Sequence, residues 1–222
     1  MFPVYLKEPG FDPPREPICY LVTRDGLFQV KESAAFRSAV RVRGLSWLEG
    51  QREEVTMTLP PVPGELLARA IGLFREVYRR HQSEAIVLLH YDPPAGRYTL
   101  AVPEQNVAGG HLEYAIGPTP AGLVRVGTIH SHADADAFHS ELDDWDERHD
   151  DGLHVTVGNL DGPLTLACSV VVDGRRFPLQ AGAVFTPIPQ AAEGEVWWEA
   201  LTHIHAEPPP RDAAPDGRPS AI

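Results

Sequence analysis

The stretch that most constrains this chain runs from Val124 to Asp143 and reads VRVGTIHSHADADAFHSELD. Val124 to Ile129 is a short apolar run that reads as a buried strand, and it delivers His130 and His132 at its end. Side chains alternate faces along an extended chain, so two imidazoles at i and i+2 share one side. A carboxylate from the following element, Asp143, can then close a three-ligand set. Three protein ligands with a fourth position left open are what a catalytic zinc ion requires. The pattern therefore predicts a strand, a helix that follows it, and one zinc ion per chain between them.

The rest of the chain narrows the class. At 222 residues and 43% hydrophobic composition it holds one sizeable domain, or one domain with a small extension. The net charge of -12 argues against non-specific nucleic-acid binding. Cys19 and Cys168 show no pairing pattern and suit a reducing compartment. The N-terminus lacks a basic segment followed by an apolar one, and no run approaches the roughly 18 apolar residues of a membrane span. The expectation is a soluble cytoplasmic protein that engages neither membrane nor nucleic acid. Between Ala133 and Asp151 stand nine acids and one base, Arg148, so the candidate metal segment is also the most acidic. Such a run is either a solvated helix face or a field that draws in a cation and a basic partner segment.

Taken in order, residues 1–62 read as a β-rich extension. Ile18 to Val22 and Leu27 to Val30 form a hairpin around Asp25-Gly26, with further strands at Ala39–Val42 and Val55–Leu59. The segment Pro60 to Gly64 punctuates the chain. Glu65 to His81 is the clearest helix: Leu66, Leu67, Ala70, Ile71, Phe74, Val77 and Tyr78 recur at helical spacing. Strands are expected at 84–91, 97–102, 111–116, 123–129, 153–158, 164–173, 176–179 and 184–187. A short acidic helix fills 140–150, with Gly152 as its C-terminal cap. A terminal helix spans 195–203, and a disordered Pro-rich tail occupies 206–222. The pattern predicts an α/β fold, a mixed sheet flanked by helices over residues 63–205.

Each site residue has a plainer reading beside the chemical one. His203 and His205 repeat the His-x-His pattern without an obvious acid, and they read as structural or surface residues. Ser140-x-x-Asp143 at a helix start is a capping box. A general base must also reach the water at the metal. Glu84, at a helix-to-strand junction whose strand should lie beside that of His130, is the candidate. Glu76 competes, but the helical pattern puts it toward the polar face; Glu104 and Glu113 lack the junction context.

The segment Ser83 to Leu89, then His130-Ser131-His132, Ser140 and Asp143 at their spacing, resemble the signature of the JAMM metalloproteases, the catalytically competent MPN domains. The likeness covers roughly residues 63–187 and is greatest to the prokaryotic JAB-domain, deubiquitinase-like branch. It implies an MPN/cytidine-deaminase-like arrangement of the α/β fold. It implies zinc on His130, His132 and Asp143, with Glu84 as general base and Ser140 steadying the oxyanion. The motif spacing argues against His139 and Asp144 as alternative ligands. The implied activity is hydrolysis of an amide or isopeptide bond after the C-terminus of a ubiquitin-like modifier. The implied partners are that modifier or its conjugate, and E1/E2-like conjugation proteins. Rival readings are a non-catalytic MPN scaffold and an amidase or peptidase acting on a small molecule or a sulfur-carrier protein. A zinc deaminase is disfavoured, because its His-x-Glu and Pro-Cys-x-x-Cys pattern is absent.

Overall fold

In the computed structural model, which describes residues 2–12, 15–108, 111–190 and 194–206, the chain divides into two units, Met1–Glu53 and Glu54–Ile222. The first unit is a four-stranded sheet in the order β1-β2-β3-β4, made of Val4–Leu6, Ile18–Thr23, Gly26–Glu32 and Arg37–Arg41. β1 runs parallel to β2, and the other neighbours are antiparallel. The β2–β3 turn passes through Gly26 at φ 121°, a conformation that favours glycine. Cys19, Leu21 and Val30 form a small core, backed by Tyr5 and Phe11.

The second unit opens with α1 (Gly64–His81), whose apolar stripe is the buried face the spacing predicts. Leu67, Ala70, Ile71, Leu73, Phe74 and Val77 enter the main core. The helix ends at Gln82, in a left-handed conformation at φ 50°, and its backbone N–H caps the Tyr78 carbonyl. β5 (Ile86–Asp92), β6 (Arg97–Ala101), β7 (Gln105–Ala108), β8 (His111–Tyr114) and β9 (Val124–Ser131) follow. Next come α2 (Glu141–Asp146), a 3-10 turn at Glu147–His149, β10 (Gly152–Gly158), β11 (Thr165–Val172) and β12 (Arg175–Leu179). A short α3 (Ala181–Val184), a 3-10 segment at Trp198–His203 and β13 (Ile204–Ala206) complete the described chain.

These strands make a six-stranded sheet, β12-β11-β10-β9-β5-β6, and a three-stranded one, β13-β7-β8. The fold is mixed α/β, as the element pattern predicts. In the large sheet only β9 and β10 run parallel; the hairpins β5–β6, β10–β11 and β11–β12 are antiparallel. A parallel pair needs a crossover, and the crossover from β9 to β10 carries α2. The two strands approach closely at Gly127, where a Cβ would lie 1.7 Å from the Leu153 carbonyl oxygen. No described helix is long and apolar enough to cross a membrane.

Several expectations shift. Val55 to Leu59 forms no ladder; Val55, Met57 and Leu59 instead pack as single side chains against the main core. Residues 184–187 contribute only one bridge, Val62 to Phe185. Gly152 does not cap a helix but starts β10, because the acidic helix tightens into the 3-10 turn at Glu147–His149 and ends earlier. The expected terminal helix is a 3-10 segment, and residues 207–222 lie outside the described residues. β1, β7 and β13 carry no pattern that distinguishes them from loops.

Candidate metal centre

β9 and the crossover build the site. His130 is the next-to-last residue of β9 and pairs across to Ile86 of β5, while Thr156 of β10 lies on its other side. His132 follows one residue past the strand. Its backbone N–H donates to the Val157 carbonyl at 2.9 Å, which holds it in line with His130. The chain then turns at Ala133, a non-glycine residue at φ 51°, and two bonds fix the turn: Leu160 N–H to the Ala133 carbonyl and Asn159 N–H to the Ala135 carbonyl. A residue in this region costs of order 1 kcal/mol and persists only where its surroundings impose it. The loop over residues 135–137 crosses Gly158 so closely that a Cβ there would sit 2.2 Å from the Ala137 nitrogen.

Ser140 is the N-cap of α2, and the capping box is complete. Its hydroxyl accepts the Asp143 N–H at 3.1 Å, and Asp143 Oδ2 accepts the Ser140 N–H at 2.7 Å. The cap also aims Asp143. Its Oδ1 lies 3.4 Å from His130 Nε2, its Oδ2 lies 3.3 Å from His132 Nε2, and the two Nε2 atoms are 3.3 Å apart. Metal–ligand lengths of 2.0–2.1 Å in a tetrahedron place donor atoms about 3.3 Å from one another. His130, His132 and Asp143 are the only group among the described residues arranged to hold a metal ion. The donor set of two imidazoles and one carboxylate suits zinc and leaves one position open.

The electrostatics agree with that use. Burial pushes His130 down to about 4, which leaves its imidazole neutral and ready to ligate. Burial also opposes charge on His132, but its hydrogen bond to Asp143 and the charges of Glu84 and Asp143 outweigh it and raise its pKa. The Asp136 backbone adds a hydrogen bond to the His132 ring, the kind of support that orients ligating imidazoles. Asp143 is held well below the usual carboxylate range: its burial is overcome by His132, His130 and the Ser140 contacts. Phe138 packs edge-on against His132 with ring centres 4.8 Å apart.

Glu84 lies in the loop between α1 and β5, two residues before the strand that pairs with β9. Together with Ile86, Leu112, Tyr114, His130, Leu142, Asp143, Asp146 and Glu147 it lines a groove of about 240 Å3. Desolvation raises the Glu84 pKa, the nearby Asp143 raises it further, and His132 opposes both. Its rivals are used elsewhere. Glu76 is buried, not on the polar face: Arg79 and Arg80 fold back onto its carboxylate, at 2.7 and 2.5 Å, and hold it down at about 2. Glu104 is taken by His203 and His205, each at 2.6 Å. That second His-x-His therefore does have an acid, which the fold brings from 99 residues away. His139 stands beside the triad without joining it; its Nδ1 faces the Thr156 hydroxyl at 3.3 Å, and Thr156 faces His130 Nε2 at 3.3 Å.

Behind the triad lies a polar network with no signal in the sequence. Glu147, buried, faces His154 Nδ1 at 3.2 Å and receives Arg176. His154 donates from Nε2 to the Asp150 carbonyl at 2.8 Å, and Arg176 also reaches Asp144 and the Ser169 hydroxyl. Arg125 makes a two-pronged contact with Asp150. Much of the acidic segment is thus tied to β9, β10 and β12, and this anchors α2 against the sheet. Burial, with the carboxylates of Asp146, Glu147, Asp150 and Asp143, pushes the Tyr114 phenol up to about 12, so it remains a donor at the groove wall.

No family model matches the chain. No curated protein matches it either. Among solved structures it is similar to a JAB1/MPN domain protein from Archaeoglobus fulgidus, at 18% identity and a TM-score of 0.35, over 56% of this chain and 98% of that one. A likeness at that level carries no argument about activity, and the reading of the site rests on its own geometry.

Proposed function

We propose that this chain is a zinc-dependent hydrolase that cleaves an amide or isopeptide bond after the C-terminus of a ubiquitin-like modifier. The observation that carries the proposal is the convergence of two imidazole Nε2 atoms, 3.3 Å apart, with the Asp143 carboxylate, whose Oδ1 lies 3.4 Å from His130 and whose Oδ2 lies 3.3 Å from His132, beside a groove that also contains Glu84. The JAMM-like order of Glu84, His130, His132, Ser140 and Asp143 supports the substrate class. His130, His132 and Asp143 would hold the ion.

When bound, zinc supplies Lewis acidity and a water whose pKa falls toward about 7. Glu84 takes a proton from the attacking water and returns it to the leaving amine. Its raised pKa suits that exchange, because a base works best when its pKa approaches the working pH. Ser140 accepts the Asp143 N–H through its oxygen, and its hydroxyl proton, which in the resting site is shared with the Asp143 carboxylate, would turn to the developing oxyanion. One such donor is worth about 2.7–4 kcal/mol in other enzymes. The cap and the oxyanion donor are therefore compatible roles for one side chain. Ile86, Leu112, Tyr114 and Leu142 line the groove beside the place the scissile bond would take.

The test is incubation of the zinc-loaded chain with ubiquitin-like fusions, with and without chelator, beside Glu84→Gln. The proposal expects cleavage at the modifier's C-terminus, lost with chelator and lost in Glu84→Gln while zinc is retained. Zinc binding without cleavage of any fusion would favour the scaffold reading. Cleavage of small amides alone would favour the amidase reading.

A further inference from the structure

Gln105 lies outside the triad and outside the groove lining, yet it is 1% exposed and its amide is fully engaged. Its Oε1 accepts the Ile86 N–H at 2.9 Å, and its Nε2 donates to the Ile86 carbonyl at 2.9 Å. Nε2 also reaches the Pro103 carbonyl at 3.3 Å. This pair of bonds is what a neighbouring strand would make. β6 pairs with β5 only as far as Leu88, opposite Ala101, so it stops two residues short of Ile86. Buried backbone groups need partners, and the Gln105 side chain supplies them where the strand runs out.

The place matters because of what precedes Ile86. Ile86 stands opposite His130 and lines the groove with Glu84. On the β9 side the same backbone is held by Ser131, the residue between the two histidines. Its hydroxyl accepts the Ala85 N–H at 3.1 Å, and its own N–H donates to the Ala85 carbonyl at 2.9 Å. The two residues after Glu84 are therefore fixed from both edges, Ala85 by Ser131 and Ile86 by Gln105. Gln105 is itself seated by β13, where Ile204 is its strand partner.

We infer that Gln105 is a positioning residue for Glu84: its side-chain amide fixes the Ile86 backbone and so sets where the Glu84 carboxylate stands relative to the triad. The inference rests on Glu84 being the base of the hydrolase proposed above. Sites held by rigid support lose rate when that support is removed, even where ligand binding survives.

The experiment compares the full zinc-loaded chain with Gln105→Met, which matches the side chain's length and makes neither bond. Gln105→Glu keeps the acceptor for Ile86 N–H and serves if the methionine variant folds poorly. We expect one zinc per chain throughout. Gln105→Met should lose about 30-fold or more in kcat with KM within about threefold, and Gln105→Glu should lose less. In the Glu84→Gln background the residual rate, followed at high enzyme concentration, should fall no further with Gln105→Met, because it acts through Glu84. A readout without substrate is the visible spectrum of the cobalt(II)-loaded protein, which Glu84→Gln and Gln105→Met should shift in the same direction. Wild-type kcat in Gln105→Met, an equal loss in the Glu84→Gln background, or a wild-type cobalt spectrum would overturn the inference. If the wild-type chain cleaves no fusion, the hydrolase reading fails, and the cobalt spectra alone decide whether Gln105 positions Glu84.

Discussion

His130–His132 and His203–His205 share one spacing and end in different states. The first pair is buried at a strand end, with both Nε2 atoms turned to one point and Asp143 delivered there by a capped helix. The second pair straddles the end of a 3-10 segment and β13, is exposed, and grips opposite oxygens of Glu104. In the first, burial strips His130 of its charge and the acid closes a three-donor set. In the second, the imidazoles only bracket a carboxylate, and the result is a hydrogen-bonded clamp on the edge of a small sheet. What separates a set able to hold a metal ion from a surface clamp is the direction from which the acid arrives and how deeply the imidazoles are buried.

The contrast can be broken most severely at the ligands. His132→Ala should lose zinc by about three orders of magnitude in affinity or more, and the proposed hydrolysis with it. His205→Ala should leave both within about twofold, as followed by competition with a chromophoric chelator. Equal losses in the two variants would erase the distinction. Next in size is the support behind the triad. Arg176→Met leaves Glu147 buried with fewer partners and should cost about 3–5 kcal/mol in urea unfolding, the usual consequence of removing one partner of a buried pair. Ser140→Ala should cost only about 1 kcal/mol of stability as a lost cap. It should also lower turnover about 100-fold with zinc retained; lost stability with normal turnover would reduce Ser140 to a cap.

The smallest effect belongs to the clamp. Glu104 is held below the usual carboxylate range by hydrogen bonds from His205 and His203. A depressed carboxylate stabilises the fold above its unfolded pKa, and the benefit is lost as pH falls through the lower folded value. Glu104→Gln should therefore produce a marginal Tm change near neutral pH that vanishes in acid, with zinc content unaltered. A zinc deficit in Glu104→Gln would show that the two sites communicate.

The legible parts of the site were those encoded by local periodicity. Strand alternation put His130 and His132 on one side, the Ser140-x-x-Asp143 spacing implied the cap, and helical spacing gave α1. What could not be read depends on long-range pairing. Gln105 resembles any loop glutamine until β6 is seen to end short of Ile86. Glu76 falls on the polar side of the helical pattern, yet it is buried, one turn past Gly72, where the Glu195 backbone lies against the helix, and Arg79 and Arg80 hold its carboxylate. Arg176, 29 residues past Glu147, meets it only because β12 pairs with β11 and the 3-10 turn that carries Glu147 lies against β11. Val55 to Leu59 has strand composition but no partner strand, so its side chains pack while its backbone forms no ladder.

The central claim is that His130, His132 and Asp143 bind one metal ion together. Zinc-edge X-ray absorption on the stoichiometrically loaded chain tests it most directly. The account predicts a four-coordinate ion with two imidazoles and light O/N neighbours at about 2.0–2.1 Å, unchanged in a His203→Ala/His205→Ala double variant. A first shell with fewer than two imidazoles, or one that loses imidazole scattering in that double variant, would contradict it.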